Sequence, residues 1–317
     1  MINQVLFIDT THPYLAESLQ DAGFKCSHYT GNSRQEILDM LRHYQGLIIR
    51  SKIKLDRDAI ERAVQAKFIA RVGAGMENID ASYAGSKGII CLNAPEGNRD
   101  AVGEHAIGML LSLFNHLCRA NQEVRQGIWI REGNRGIELG GKTIGIIGYG
   151  NTGRAFAEKL SGFNVKVLAF DKYKTGFSGL FVKEVDMQEL FRETDVLSLH
   201  VPLTDETRQL VNRDFLNSFH KPVFVINTSR GQCVDTAALM DAIDQGRVEG
   251  AALDVLEYEK LSFENLDAEN LPLPFKRLIA SEKVMLSPHI AGWTHESNYK
   301  MAKILADKIK ALYAGSD

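Results

Sequence analysis

The stretch Lys142–Gly153, KTIGIIGYGNTG, constrains the fold more than any other part of the chain. Gly148, Gly150 and Gly153 have the spacing G-x-G-x-x-G, which is weak evidence when it occurs alone. Here an apolar strand pattern precedes the glycines, a helical pattern follows them, and a second strand pattern ends at Asp171. This combination predicts a strand, a glycine turn and a helix that together bind a dinucleotide.

The three glycines have separate roles in such a turn. Gly148 allows the sharp turn after the strand, Gly150 lets the backbone approach a pyrophosphate, and Gly153 permits close packing of the helix on the strand. The helix begins at Asn151 and Thr152, where free N–H groups and the positive end of the helix dipole face the phosphates. An ordinary glycine turn in an α/β sheet is the alternative, and the strand, helix and acid in register disfavour it.

Asp171 predicts which dinucleotide binds. A carboxylate just after the second strand can accept hydrogen bonds from the ribose hydroxyls of adenosine. It would repel the 2′-phosphate of NADP, so the sequence favours NAD as the cofactor.

Composition restricts the class of protein. With 317 residues, 44% of them apolar and 24% charged, the chain has the length of two globular domains. A net charge of −3 gives no reason to expect nucleic acid or an anionic membrane as a partner. The most apolar helical run, Ala106–Phe114, is too short to span a bilayer, and the amino terminus enters a strand at once, so no signal peptide is expected. The cysteines, Cys26, Cys91, Cys118 and Cys233, lie far apart, and we expect reduced thiols, no metal site and a cytoplasmic location.

Strand and helix patterns alternate along most of the chain. In the amino-terminal part, predicted strands at Val5–Ile8, Lys25–Tyr29, Gly46–Arg50, Phe68–Val72 and Ile89–Leu92 alternate with predicted helices at Pro13–Ala22, Arg34–Leu41 and Arg57–Ala63. The alternation predicts an α/β protein with two doubly wound parallel-sheet (Rossmann-like) domains. We expect a cofactor domain at residues 99–288, inserted into a substrate domain formed by residues 1–98 and 289–317.

A long helical pattern covers Ala101–Gln126. Its apolar positions are Val102, Ala106, Met109, Leu110, Leu113 and Leu117. This face is broad enough to bridge two domains or to pack on a partner chain. We therefore expect a homodimer formed through the helix that begins near Ala101.

Polar residues follow apolar strand patterns in the second half of the chain. Arg230, Asp254, Glu259 and His289 all stand at or just after such a pattern. In an open parallel sheet, ligands bind outside the carboxyl ends of the strands. We expect these four side chains to converge at the edge where the glycine turn holds the cofactor.

These segments together resemble the NAD-dependent D-2-hydroxyacid dehydrogenase family, over almost the whole chain. The matching segments are the glycine fingerprint with Asp171, then Asp195–Pro202, Asn227–Gly231 with Val234 and Asp235, Gly250–Asp254, and Ser287–Gly292. Within that family, the amino-terminal half most resembles the 3-phosphoglycerate dehydrogenases, in Arg50 with Ser51, Arg71–Asp80 and Asn93–Asn98.

The resemblance implies a catalytic set of Arg230, Glu259 and His289. The planar fork of Arg230 suits a substrate carboxylate, and its charge suits a developing alkoxide. His289 can exchange a proton with the substrate oxygen, because its unperturbed pKa lies near neutrality. Glu259 would hold the imidazole in place and favour its protonated form.

The resemblance also assigns cofactor and substrate contacts. Beyond the fingerprint, the cofactor residues are His200, Val201, Pro202, Thr228, Ser229, Asp254 and Gly292. Asp254 would bind the carboxamide. We interpret His200 mainly as a structural residue in the wall of the cofactor site. The substrate residues are Arg50, Ser51, Ala74 and Gly75, the last two through their N–H groups. Arg50 and Lys52 could bind a substrate phosphate, or Arg50 could instead pair with Asp56 or Asp58. Trp293 could contact substrate or a partner.

The sequence departs from the family pattern at two places. Lys260 follows Glu259 where the family often has proline, and the stretch Leu261–Lys283 looks longer than usual for 3-phosphoglycerate dehydrogenases. The sequence also stops at Asp317, directly after the last predicted helix, so no carboxy-terminal regulatory domain is expected.

The leading hypothesis for the reaction is interconversion of a D-2-hydroxy acid and its 2-oxo acid, with 3-phosphoglycerate and 3-phosphohydroxypyruvate as the best single pair. Glyoxylate, hydroxypyruvate and D-lactate remain alternative substrates. Formate dehydrogenases of this fold are disfavoured, because their pattern has a glutamine paired with the histidine, whereas this chain has Glu259. An NAD-sensing corepressor that works as a binding module is a remote alternative, since no flanking tails are apparent.

Overall fold

The structure is a computed structural model that describes residues 3–259 and 271–314. In this part of the chain the strands are β1 (Gln4–Phe7), β2 (Lys25–His28), β3 (Gly46–Ile49), β4 (Phe68–Arg71), β5 (Ile90–Leu92), β6 (Thr143–Ile147), β7 (Lys166–Phe170), β8 (Lys183–Glu184), β9 (Val196–Leu199), β10 (Val223–Asn227), β11 (Val248–Leu253) and β12 (Val284–Leu286). The helices are α1 (Pro13–Asp21), α2 (Arg34–Met40), α3 (Arg57–Arg62), α4 (Ala81–Ser86), α5 (Arg99–Phe114), α6 (Leu117–Arg125), α7 (Asn151–Lys159), α8 (Met187–Glu193), α9 (Arg213–Asn217), α10 (Thr236–Asp244), α11 (Leu273–Ala280) and α12 (His295–Tyr313).

The chain divides into two compact units. Unit 1 consists of Met1–Arg99 and Trp293–Asp317, and unit 2 consists of Asp100–Gly292. The chain therefore leaves the first unit once and returns to it for its last helix.

Unit 1 is built on a five-stranded sheet of order β2-β1-β3-β4-β5, in which every strand pair is parallel. The central strand β3 is buried at all four positions, as expected for a parallel strand covered on both faces. Helix α12 contributes Leu305 and Ile309 to the same core as Val5 and Phe7 of β1. It begins with a capping box between Thr294 and Ser297, which satisfies backbone donors that a helix start otherwise leaves open.

Unit 2 is built on a seven-stranded sheet of order β12-β11-β10-β9-β6-β7-β8, again with every pair parallel. The chain order reverses between β6 and β9, because β7 and β8 lie on one side of β6 and the later strands lie on the other. Such a switch point opens a crevice at the carboxyl ends of the strands. The predicted fold class, two parallel α/β sheets, is confirmed.

The prediction of one continuous helix over Ala101–Gln126 is wrong. Helix α5 ends at Phe114, and His116 takes a left-handed conformation with φ of 50° before α6 begins. The carbonyl of Phe114 accepts the N–H of Ile137 at 3.0 Å, and His is one of the residue types that tolerate this region of φ. The chain therefore changes direction where two polar residues interrupt the apolar pattern.

The apolar face of α5 is covered within unit 2. Ala106, Met109, Leu110 and Leu113 belong to one core with residues of β6, α7 and β10. Leu117, which the sequence pattern places on the same face, is instead 54% exposed at the start of α6. Within residues 3–259 and 271–314, each helix is too short or too polar to cross a bilayer.

Candidate active site

The glycine turn between β6 and α7 is shaped by close backbone approaches. Gly148 has a φ of 91°, and a Cβ atom there would meet the carbonyl group of His200. A Cβ atom at Gly153 would collide with the carbonyl oxygen of Gly148. Gly150 differs, because a Cβ atom there would have no protein atom within 4 Å. Two glycines are thus required by the fold itself, and the third faces open space.

The start of α7 is open to an anion. The N-cap residue Gly150 has no side chain to bind the first turn, and the first N–H that bonds back is that of Arg154, to the Gly150 carbonyl. The N–H groups of Asn151, Thr152 and Gly153 have no acceptor in the part of the chain that the structure describes. Together with the helix dipole, these donors suit a pyrophosphate.

Asp171 stands directly after β7 and is held by backbone donors. Its Oδ2 accepts the N–H of Tyr149 at 2.8 Å, and its Oδ1 accepts those of Tyr173 and Lys174 at 2.9 and 3.0 Å. Each carboxylate oxygen has about two acceptor positions, so Oδ2 retains room for a ribose hydroxyl. The site thus fits an unphosphorylated ribose.

The predicted cofactor wall after β9 and the loop after β10 each carry a buried polar atom without a partner among the described residues. His200 is buried, and its Nε2 lies 2.9 Å from Ser198 Oγ. Burial lowers the pKa of His200 to about 3, so the ring is neutral at physiological pH. Among the described residues, His200 Nδ1 and Thr228 Oγ1 are buried without a hydrogen-bond partner, and such atoms are satisfied when a polar ligand binds. Val201 and Pro202 continue this wall as half-buried and exposed residues.

A fully buried asparagine builds the loop that carries Arg230. Asn227 Oδ1 accepts both the N–H and the Oγ–H of Ser229, at 3.0 and 2.7 Å, and its Nδ2 donates to the Arg230 carbonyl at 2.9 Å. Arg230 Nη1 donates to the Ser229 carbonyl at 2.6 Å. At Gly231 a Cβ atom would collide with the carbonyl of Leu256. Only glycine therefore lets this loop lie against the segment that leads to the predicted catalytic glutamate.

Glu259 and His289 form a direct pair. His289 Nδ1 lies 3.1 Å from Glu259 Oε2, and the two side chains are 26% and 24% exposed. His289 has a φ of 55°, an unfavourable region for a non-glycine residue and one often found at functional sites. Its N–H donates to the carbonyls of Asp254 and Ser287 at 2.7 and 3.1 Å, which hold the residue in this conformation.

Asp254 fastens the segment around His289. Its Oδ1 accepts the Oγ–H of Ser287 at 2.6 Å and the N–H of Ile290 at 2.8 Å, and its Oδ2 accepts the N–H of Ala291 at 2.8 Å. His105 Nε2 lies 3.4 Å from Oδ1. Burial alone would raise the pKa of this carboxyl, but the hydrogen bonds outweigh burial and the pKa lies below its usual range. The structure therefore shows a positioning role for Asp254, and its contact with a carboxamide stays a prediction.

Three contributors to this site were missed at the sequence level. Asn227 and Ser287 lie inside quoted segments, but nothing in the segments shows what their side chains bind. His105 contacts Ser287 Oγ at 2.9 Å from 182 residues away along the chain, and no local pattern could have indicated this. The half-buried Gly292 follows directly after this fastened segment.

The predicted substrate residues all lie in unit 1, at the carboxyl ends of β3 and β4. The backbone of Arg50 is fixed on both sides: its N–H donates to Asp9 Oδ2 at 2.7 Å, and its carbonyl accepts Arg71 Nε at 3.2 Å and Asn78 Nδ2 at 2.8 Å. Half-buried Ser51 follows it.

The alternative pairing of Arg50 with Asp56 or Asp58 is wrong. Asp56 forms an ion pair with Arg34 at 2.9 Å, and Asp58 with Arg62 at 3.3 Å.

In the loop after β4, the carbonyl groups accept hydrogen bonds from other parts of unit 1. The carbonyl of Gly73 accepts the N–H of Ala94, and that of Ala74 accepts Asn93 Nδ2, at 3.0 and 2.6 Å. The carbonyl of Gly75 accepts Arg71 Nη1 at 2.8 Å.

The N–H groups of Ala74 and Gly75 have no acceptor within residues 3–259 and 271–314. Because the carbonyl groups of this loop already accept hydrogen bonds, its N–H donors suit a carboxylate.

Two remaining points concern metals and the unusual stretch after Glu259. The described residues hold no group of three or more His, Cys, Asp or Glu side chains that could bind a metal ion. Lys260 and most of the first half of Leu261–Lys283 lie outside the described residues; its second half contains α11.

Alanine substitutions at the glycines should separate folding from cofactor binding. Gly150→Ala should leave thermal unfolding nearly unchanged but weaken NADH binding about tenfold or more, because the methyl group fills the approach of the pyrophosphate. Gly153→Ala should cost about 1–3 kcal/mol of stability through overpacking against Gly148.

The matched control is Gly162→Ala, where a Cβ atom also has no neighbour within 4 Å. NADH fluorescence titration and thermal unfolding measure the two effects. Equal NADH affinity in Gly150→Ala and Gly162→Ala would contradict the assignment.

Comparison with known proteins agrees with this geometry. The family model described as D-isomer specific 2-hydroxyacid dehydrogenase, NAD binding domain, matches residues 107–291. A D-3-phosphoglycerate dehydrogenase of Archaeoglobus fulgidus is 34% identical over 98% of this chain and 58% of its own length. A hydroxypyruvate reductase of Thermotoga maritima is 36% identical over 87% of both chains.

A solved structure extends the match. D-lactate dehydrogenase from Aquifex aeolicus, complexed with NAD and lactic acid, superposes with a TM-score of 0.83 at 29% identity, covering 98% of this chain and 96% of that one. The chain spans 58% of the length of the Archaeoglobus relative. On this evidence the chain belongs to the D-isomer specific 2-hydroxyacid dehydrogenase family and carries that family's NAD-binding domain.

Proposed function

We propose that the protein interconverts a D-2-hydroxy acid and its 2-oxo acid by NAD-dependent hydride transfer. The observation that carries the proposal is the Glu259–His289 pair, with Nδ1 and Oε2 3.1 Å apart, in the unit that matches the NAD-binding domain. We propose residues 99–288 as the cofactor domain and residues 1–98 with 289–317 as the substrate domain, so that His289 stands at the proposed boundary, although compactness alone assigns it to unit 2.

His289 would move the proton. With Nδ1 bonded to Glu259, the ring presents Nε2 as the atom that gives a proton to the carbonyl oxygen or takes one from the hydroxyl. Glu259 fixes the orientation of the ring and stabilises its charged form. The backbone bonds from His289 to Asp254 and Ser287 hold the main chain of this residue in place.

Arg230 would bind the reacting end of the substrate. Its guanidinium binds the carboxylate and stabilises negative charge on the neighbouring oxygen. The bonds from Asn227 fix the loop, so little of this arrangement has to form during reaction. When bound, the nicotinamide gives or accepts the hydride.

For the substrate we propose 3-phosphoglycerate and 3-phosphohydroxypyruvate, in the cytoplasm and in serine biosynthesis. Arg50 supplies a cation whose backbone is fixed on both sides, and the N–H groups of Ala74 and Gly75 supply donors for a carboxylate. The Archaeoglobus relative is named for this reaction. The cysteines Cys26, Cys91, Cys118 and Cys233 are free thiols, which fits a reducing compartment.

A glyoxylate or hydroxypyruvate reductase is the second candidate. The Thermotoga relative carries the name hydroxypyruvate reductase at a similar identity, and the catalytic residues would act in the same way. The NAD-sensing corepressor stays a remote alternative that no contact in the described residues favours.

We also propose a homodimer, with α6 and the segment after it as the contact. The residues Leu117, Val124, Ile128, Trp129 and Ile130 are all large, apolar and between 42% and 78% exposed. Several exposed apolar residues within one short segment are typical of a surface that another chain covers. The apolar face of α5, by contrast, is already used inside unit 2.

A substrate panel tests the proposed reaction. With NADH, phosphohydroxypyruvate should be reduced with a higher kcat/KM than hydroxypyruvate, glyoxylate or pyruvate, and NADPH should support each reaction poorly because of Asp171. Steady-state absorbance at the NADH band measures all of these. A wild-type enzyme that prefers hydroxypyruvate to its phosphate ester would favour the second candidate.

His289→Ala should lower kcat by about 10²- to 10⁴-fold, the usual worth of a general acid–base group, with NADH binding nearly unchanged. His295→Ala is the matched control, because His295 is an exposed histidine at the start of α12. Stopped-flow or steady-state kinetics and NADH fluorescence give the two readouts. Loss of NADH binding in His289→Ala would mean that the residue is structural.

Trp129→Glu should convert the dimer to a monomer, because a charge would be buried without a partner in the interface. Leu180→Glu, at another highly exposed apolar residue of unit 2, should leave the mass unchanged. Sedimentation velocity measures both. A wild-type protein that sediments as a monomer at micromolar concentration would refute the dimer.

A further inference from the structure

Arg50 and Trp293 form a stacked pair within unit 1. The guanidinium carbon of Arg50 lies 3.6 Å from the centroid of the Trp293 ring. Trp293 follows Gly292, the residue directly after the fastened segment, and is 63% exposed. A cation close to the face of an indole is attracted electrostatically to the ring. Here that cation is the Arg50 guanidinium.

The surroundings of Arg50 leave its guanidinium without a carboxylate partner. The nearest acid, Asp9, uses its oxygens on the N–H groups of Arg50 and Lys52, at 2.7 and 3.1 Å. In the part of the chain that the structure describes, no hydrogen bond or ion pair reaches the Arg50 guanidinium. Burial lowers the pKa of Arg50, and the charge of Asp9 opposes this, so the group stays cationic but only partly hydrated.

Stacking fixes the guanidinium without consuming its donors. The indole contacts the guanidinium at its central carbon, while the N–H donors of a guanidinium lie in its plane and point outward from its edge. A free arginine side chain loses roughly 1.5–2 kcal/mol of rotamer entropy when it is immobilised. A side chain that is already held loses less when it binds a ligand.

We propose that Trp293 is a positioning residue that holds Arg50 ready for the second anionic group of the substrate, a phosphate at the end remote from the 2-oxo acid. The inference rests on the proposed function, because a substrate without a second anion would not use this edge. A planar edge with parallel N–H donors binds phosphate in a bidentate manner. Trp293 thereby becomes a determinant of specificity although it donates nothing to the substrate itself.

Kinetics with two substrates test the inference. Trp293→Leu should raise KM for phosphohydroxypyruvate about three- to thirtyfold, the range expected from a lost cation–π contact, while kcat changes less than about twofold. For hydroxypyruvate, which lacks the phosphate, kcat/KM should stay within about twofold. Trp293→Phe retains an aromatic face and should restore most of the affinity.

The matched control is Tyr299→Leu. Tyr299 is an exposed aromatic residue of α12 whose ring contacts His12 and Tyr14. Its removal should change KM for neither substrate.

A binding measurement gives a readout that is independent of turnover. Trp129 and Trp293 are the two tryptophans of the chain, so Trp129→Phe leaves Trp293 as the single emitter. Titration of this variant with 3-phosphoglycerate should change its emission, because the phosphate would bind the Arg50 guanidinium and change the charge next to the indole. Adding Arg50→Met should abolish the change, and D-glycerate should produce little of it.

The outcomes separate this inference from the proposed substrate. If the wild type prefers hydroxypyruvate to its phosphate ester, the substrate proposal fails, and the emission titration alone decides whether the anion site exists. If Trp293→Leu lowers kcat/KM equally for both substrates, or for neither, the inference is overturned. An unchanged emission on addition of 3-phosphoglycerate overturns it as well.

Discussion

One buried carboxylate, that of Asp254, holds in place the segment of unit 2 that contains His289. Removing a carboxylate from water costs several kcal/mol unless donors replace the lost hydration. Here the donors are Ser287 Oγ and the N–H groups of Ile290 and Ala291, all within 2.8 Å. Because these donors lie on both sides of His289, satisfying the carboxylate also fixes the strained backbone of this histidine, the proposed proton carrier. The backbone geometry at His289 thus depends on the burial of Asp254, which lies earlier in the chain.

Both units contain backbone N–H groups that suit an anion without the help of side-chain charge. At the start of α7 and in the loop after β4, these N–H groups have no acceptor among the described residues, and the carbonyls of Gly73, Ala74 and Gly75 accept hydrogen bonds. Donors fixed by the fold need no reorganisation when a ligand arrives. These N–H groups do not titrate, so their own donor capacity does not change with pH. In the proposed function, Arg50 and Asp171 would add selectivity to these backbone donors.

What the sequence could predict follows from the range of the interactions involved. The strand patterns are local runs of apolar residues, and β1 or β3 therefore lies within one residue of its predicted position. The glycine spacing is also a local signal in the sequence, although the close approach of the His200 carbonyl to Gly148 is visible only in the folded chain. The break between α5 and α6 was not predictable in this way, because the Phe114 carbonyl is taken by Ile137. The contact of His105 with Ser287 spans 182 residues, and only the folded chain brings them together.

Burial of His200 has a consequence for how unit 2 responds to acid. The pKa of His200 falls from 6.5 to about 3 in the folded protein, so the native state excludes a proton that the unfolded chain binds. Between those two pH values the unfolded state carries more protons, and the free energy of unfolding therefore decreases as pH falls. At neutral pH the same residue contributes nothing to this linkage. A histidine outside the proposed catalytic set thus makes the stability of unit 2 depend on pH in acidic surroundings.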